Sequence, residues 1–262
     1  MKQRIITAII ALLVFVPFIL YGELPFTLFV YLMATIGLIE LIKMREMSNF
    51  LIPSLLAIVF LWIMLWDFDT YSIPAIGLEK SEVMMLFVML LLTYTVFAKN
   101  TFNFEDAGFM FLSAVYIGIG FYYLIVTRDA GLNYIFYALL VIWATDTGAY
   151  FFGRAFGKKK LWPKISPNKT IEGAVGGILL ACLVGIVFQL VDPFPHTMFY
   201  MIVITILVSI FGQIGDLVES AFKRHFGVKD SGKLLPGHGG ILDRLDSLLF
   251  ILPLLHIMYF VS

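Results

Sequence analysis

Residues 83–97 read VMMLFVMLLLTYTVF, a stretch without a charged side chain. Its apolar residues do not alternate with polar ones, so it does not fit a strand of a closed barrel. A helix is the other structure that satisfies every backbone N–H and C=O inside lipid. Working outward, apolar runs recur near 5–21, 26–42, 50–66, 107–126, 134–152, 171–191, 198–222 and 241–261. A run of about 17–25 residues is long enough to cross the hydrocarbon. The sequence therefore predicts an all-α, polytopic integral membrane protein with about nine transmembrane helices.

The composition agrees. Of 262 residues, 61% are hydrophobic and 14% charged, with mean hydropathy +0.96; a soluble domain carries about 25% charge. The formal net charge of zero says nothing about nucleic acid, but no basic tail or arm is present and no nucleic-acid partner is expected. The single cysteine, Cys182, lies in the apolar run GILLACLVGIVF (177–188), which excludes a disulfide within the chain and suggests packing. The opening MKQRIITAIIALLVFVPFILYG has the basic head of a secretory signal, but no small-x-small cleavage site follows. It reads as a retained first span.

Lysine and arginine set the orientation. With the N-terminus cytoplasmic, fifteen of them fall on the inner side: Lys2, Arg4, Lys43, Arg45, Lys99, six between Arg154 and Lys169, and Lys223, Arg224, Lys229 and Lys233. Only Lys80 and Arg128 fall outside, and Arg244 opens the last helix. The expected place is the inner membrane, with both charged loops in the cytoplasm. Residues 1–133 read as nearly featureless scaffold spans, and the acidic, aromatic loop 67–82 as an external cap without chemistry. Residues 134–262 carry polar side chains into the spans and read as the catalytic part.

Three clusters in that second part carry charge where charge is costly. In WATDTGAYFFGR (143–154), Asp146 sits inside a span, where a lipid-facing carboxylate would cost about 2.5–3.5 kcal/mol. On a helix it shares a face with Tyr150 and Gly153. A polar residue bonded to a neighbouring helix would also account for it. The loop that follows ends in Ser166-Pro-Asn168-Lys169-Thr170. Ser166 and Asn168 are expected to cap the next helix, whose free N–H groups would suit an anion. Gly153 to Lys159 is not a phosphate-binding P-loop: it has three residues between its glycines, lacks Ser or Thr after the lysine, and follows a helix.

The second cluster is GQIGDLVESAFKR (212–224), where Asp216, Glu219, Ser220 and Lys223 fall on one helical face. Glu219 with Lys223 can be an ordinary intrahelical pair, whereas Asp216 has no partner within the stretch. The third, GHGGILDRLDS (237–247), aligns Asp243, Asp246 and Ser247. Two carboxylates so close repel unless protonated or bridged by a cation. With Asp216 alongside, an all-oxygen site suited to Mg²⁺ becomes available. Pro236 and the glycines around His238 allow a sharp turn into the last helix.

Taken together, Ser220-x-x-Lys223-Arg224, Lys229-Asp230, Pro236-Gly-His238-Gly-Gly240 and Asp243-Arg244-x-Asp246 resemble the signature of the phosphatidate cytidylyltransferases, the CDP-diacylglycerol synthases. GDLVES (215–220), WATDTGAYFFGR and SPNKTIEG (166–173) resemble further blocks of that family. The resemblance is residue-level over about 143–247 and one of hydropathy before that. It implies a membrane enzyme that uses Mg²⁺ to join CTP and phosphatidic acid, releasing pyrophosphate. It carries metal binding to Asp216, Asp243 and Asp246, leaving open which of the last two is a direct ligand. Catalytic roles pass also to Lys223 and Arg224. Contacts to nucleotide or lipid pass to Asp146, Ser166, Asn168, Lys169, Ser220, Lys229, Asp230, His238 and Arg244. A monovalent cation beside Mg²⁺ and a homodimer both stay open. The rival readings are a CTP-dependent polyprenol or phytol kinase and, from another class, a secondary transporter using the intramembrane carboxylates.

Overall fold

A computed structural model describes residues 2–66 and 79–261. Most of the loop expected as an external cap lies outside the described residues. Among the described residues there are nine helices: α1 (Lys2–Tyr21), α2 (Glu23–Met44), α3 (Leu51–Leu65), α4 (Lys80–Phe97), α5 (Phe104–Ala130), α6 (Leu132–Phe156), α7 (Ile171–Val191), α8 (Met198–His225) and α9 (Leu242–Ile257). Six of these, α2 and α4 to α8, are long and apolar enough to cross a membrane. The protein is thus a multi-pass, helical membrane protein. The apolar part of α1 and the whole of α3 are shorter. Helix α9 has 16 residues and rises about 24 Å, short of the roughly 30 Å hydrocarbon core.

One element departs from the all-α expectation. Between α6 and α7 the chain forms an antiparallel hairpin of β1 (Lys160–Trp162) and β2 (Ser166–Thr170), pairing Lys160 with Thr170 and Trp162 with Ser166. Ser166 and Asn168 are therefore strand residues, not caps. Thr170 caps α7 instead, its Oγ1 accepting from the Gly173 N–H at 3.1 Å. The Ile171 N–H is taken by the Lys159 carbonyl, and the Glu172 carboxylate accepts from the Lys159 N–H. The expected anion site at this helix start is filled by the protein itself.

Helix α5 is the hub. It buries Met110, Ile117, Phe121 and Leu124 against α2, α3 and α9, and Gly120 lets the Leu249 side chain of α9 come within contact of its backbone. Helices α6 and α7 form a second, tighter pair along their lengths. The outward face of α7 shows Val175, Leu179, Leu183, Val187 and Leu190 exposed. A continuous apolar stripe of this kind needs lipid as its solvent.

Polar contacts gather at the two ends of the bundle. At one end Arg45 pairs with Asp106 at 2.7 Å, the Thr7 hydroxyl donates to the Pro236 carbonyl at 2.9 Å, and Lys169 pairs with Asp216. At the other, Arg128 donates to the Leu20 carbonyl, His196 meets the Phe260 carbonyl at 3.1 Å, and Lys80 lies over the Tyr122 ring. Successive helices therefore run in alternating directions. The loops after α2, α4, α6 and α8 share the first end.

Candidate active site

The site lies at that first end, where α8 stops and α9 begins. The two helices approach closely because Gly215 faces α9: a Cβ there would sit 2.8 Å from the Asp246 carbonyl oxygen and from the Phe250 Cβ. One turn earlier, the Ser247 hydroxyl donates to the Gly212 carbonyl at 2.9 Å. This contact sets Asp216 and Asp246 within electrostatic range of each other. Asp146 of α6 joins them, together with Lys169 and Arg244. Asp146 is accessible although protein surrounds it, so it lines a recess. The partner that Asp216 lacks within its own stretch is Lys169, from the hairpin. The Ser220 hydroxyl donates to the other Asp216 oxygen at 3.3 Å.

Asp243 is placed differently. Its Oδ1 accepts from Lys223 Nζ at 2.6 Å, and its Oδ2 accepts from the Ser231 N–H, the Ser231 hydroxyl and the Gly240 N–H at 2.7–2.9 Å. Lys223 also donates to Glu219 at 3.1 Å and is 9% exposed, so it bridges two carboxylates under cover. Glu219 in turn lies against Asp246. The Tyr116 hydroxyl of α5 is buried without a hydrogen-bond partner among the described residues and faces both acids.

The loop from α8 to α9 is built by local rules. Helix α8 ends in a Schellman motif: Gly227 has φ 69°, the Val228 N–H reaches the Lys223 carbonyl, and the Gly227 N–H reaches that of Arg224. Further on, the His238 N–H bonds to the Leu235 carbonyl across Pro236 and Gly237, the latter at φ 79°. Proline then a left-handed glycine is the type II turn pattern. A polar cavity of about 440 Å³ opens here, lined by Lys229, Asp230, Lys233, His238 and Arg244. Arg224 is exposed beside it, donating to the Ile165 carbonyl and so tying the hairpin to α8.

The profile of the cytidylyltransferase family matches residues 2–262. The chain belongs to that family. It is 50% identical over 261 residues to a phosphatidate cytidylyltransferase of Bacillus subtilis, covering 98% of this chain and 97% of the relative. Proteins of the same name from Staphylococcus haemolyticus and Staphylococcus aureus are 53% and 48% identical, each covering 98% of both chains. In this family member, then, a carboxylate group (Asp146, Asp216, Asp246) and a cationic cavity (Lys229, Lys233, Arg244) meet at one end of the bundle.

Among the described residues, no three His, Cys, Asp or Glu side chains form a ready metal cage. Mg²⁺ does not require one: it keeps several waters and takes one or two carboxylates plus substrate phosphates. Asp216 and Asp246, partly exposed and within electrostatic range of each other, fit that demand once Lys169 gives up its place on Asp216. Sequence reasoning missed Glu40 of α2, which accepts from Ser231, Ile241 and Leu242. The signal that singles out Asp146, a carboxylate inside an apolar run, applies equally to Glu40. Tyr116 carries no such signal among the many aromatics of its helix.

Proposed function

We propose that this chain transfers CMP from CTP to phosphatidic acid, giving CDP-diacylglycerol and pyrophosphate, with Mg²⁺ held by Asp216 and Asp246. The observation that carries the reading is the meeting of acidic recess and cationic cavity at a membrane boundary, in a chain about half identical to named phosphatidate cytidylyltransferases over nearly full length. The lipid phosphate is the nucleophile. It carries about −1.5 to −2 charge near pH 7, so no dedicated base is needed. One of its oxygens bonds to the α-phosphorus of CTP, the bond to the bridging oxygen breaks, and pyrophosphate leaves with that electron pair. The barrier is bringing two polyanions together, which positioning and charge neutralisation must overcome.

Mg²⁺ bound at the carboxylates would supply charge neutralisation on the transferring phosphates. The chain's own groups do the rest. Lys229, Lys233 and Arg244 receive triphosphate oxygens around the cavity, with His238 and Asp230 at its wall. Lys169, with Ser166 and Asn168 on the same strand, faces the lipid phosphate from the hairpin side. Lys223 and Arg224 act by fixing the end of α8, and Ser220 orients Asp216. The two polar ends of the bundle support an arrangement in which all nine helices cross or enter the bilayer, and the lysine and arginine bias toward the end that carries the site supports a cytoplasmic N-terminus and site. Residues 134–262 supply the site on a scaffold from 1–133, Glu40 and Tyr116 excepted. One chain contains every group named, so the reading does not require a homodimer.

The test is product analysis on purified protein. Pyrophosphate released from CTP only with phosphatidic acid and a divalent cation supports the reading. CDP released with an alcohol acceptor would replace it with the kinase, and ion flux without nucleotide turnover with a transporter. Asp216→Asn and Asp246→Asn should each abolish pyrophosphate release while the protein still inserts. Wild-type turnover in both would overturn the metal assignment.

A further inference from the structure

Glu40 is 5% exposed, 191 positions before its first partner, and no lysine or arginine among the described residues pairs with it. Its carboxylate is satisfied otherwise. Oε1 accepts from the Ile241 N–H at 2.9 Å; Oε2 accepts from the Leu242 N–H at 3.1 Å and the Ser231 hydroxyl at 3.0 Å. Two of these donors belong to the start of α9, where N–H groups have no helical partner and the dipole favours an anion. The third opens the loop that carries the cavity residues. The Ser231 hydroxyl also lies 2.9 Å from Asp243 Oδ2, so two carboxylates share its single proton. The fit leaves no spare room: a Cβ on Gly232 or Gly240 would fall 2.5 or 2.3 Å from Glu40 Oε1. One turn back on α2, a Cβ on Gly37 would come 3.0 Å from Leu242.

We infer that Glu40 is a positioning residue for the nucleotide half of the reaction: it pins both ends of the 231–240 loop, and so sets where Lys233, His238 and Arg244 meet the triphosphate. The inference rests on the cavity reading above. An unpinned loop would leave the lipid side, built from the hairpin, α6 and α8, as it is. The defect should therefore divide between the substrates. A general loosening of the fold would not divide it.

The experiment is steady-state kinetics of Glu40→Gln with each substrate varied in turn, with limited trypsin digestion at Lys233 as a second readout. In Glu40→Gln an amide NH₂ meets a backbone N–H, losing a charge-assisted bond. The KM for CTP should rise roughly tenfold or more, by the usual strength of such a bond, with KM for phosphatidic acid within about twofold, and trypsin should cut faster at Lys233. Should Glu40→Gln fail to insert, Ser231→Ala removes the shared hydroxyl and keeps Glu40 on α9; a smaller shift in the same direction is expected. An unchanged KM for CTP with unchanged cleavage in an inserted variant overturns the inference, as does an equal rise in both KM values. Failure of the underlying reading shows separately, because the wild-type protein would then release no pyrophosphate.

Discussion

Removing the Lys223 ammonium should unsettle the protein far more than a surface lysine would. The variant is Lys223→Met, which keeps the length of the stem. The lysine side chain is 11% exposed, against 2% for Glu219 and 5% for Asp243, and it is bonded to both at 3.1 and 2.6 Å. Its loss leaves the buried Asp243 carboxylate without its cation and Glu219 without its donor. Breaking a buried pair from one side costs about 3–5 kcal/mol, a large share of the roughly 5–15 kcal/mol that holds a domain folded. At about 2–4 °C per kcal/mol for a chain of this size, the melting temperature should fall by roughly 6–20 °C. The assay is thermal unfolding in detergent, followed by tryptophan fluorescence. Adding Glu219→Gln to the variant removes the other side chain that this lysine holds, and a double-mutant cycle reads directly how strongly the two are coupled. A Lys223→Met protein melting within 2 °C of wild type would refute the argument, and with it the view that this lysine bridges two acids under cover.

Gly215→Ala and Gly212→Ala make a matched pair on α8. The first places a methyl 2.8 Å from the Asp246 carbonyl and should cost about 1–3 kcal/mol and most of the pyrophosphate release, as α9 is pushed away. The second meets nothing nearer than 3.6 Å and should be neutral or slightly stabilising; equal behaviour of the two in a melting and activity comparison would contradict the close approach. Thr170→Ala removes the cap of α7 and should lower stability by about 0.5–2 kcal/mol, read as a melting shift of a few degrees that Thr170→Ser largely reverses.

Much of the fold is legible from hydropathy alone, because lipid leaves a chain few ways to satisfy its backbone. Helix existence and order follow the apolar runs closely. Crossing length does not follow for α3 and α9, since a run's apolar extent counts flanking residues that the helix leaves out: Trp66 beyond α3, and Ile241, Met258 and Tyr259 around α9. The hairpin at 160–170 was hidden by its own composition, where lysines and proline read as an ordinary charged loop. The cap of α7 moved from Ser166 and Asn168 to Thr170 because cross-strand pairing claimed the earlier backbone.

What the amino-acid order alone determined is the solvent, the sidedness of charge and the residue types gathered late in the chain. These are local properties, readable wherever a carboxylate or glycine appears in an apolar run. Which acids face one another was decided only by tertiary packing. Asp243 and Asp246 lie three residues apart on one helix, yet the first turns to Lys223 and Ser231 while the second lies against Glu219, within electrostatic range of Asp216. Lys169 and Glu40 reach the site from 47 and 191 positions away from their partners. Spacing along a helix fixes direction to within a face, but a charge in a low-dielectric interior settles on whichever partner the neighbouring helix brings within reach.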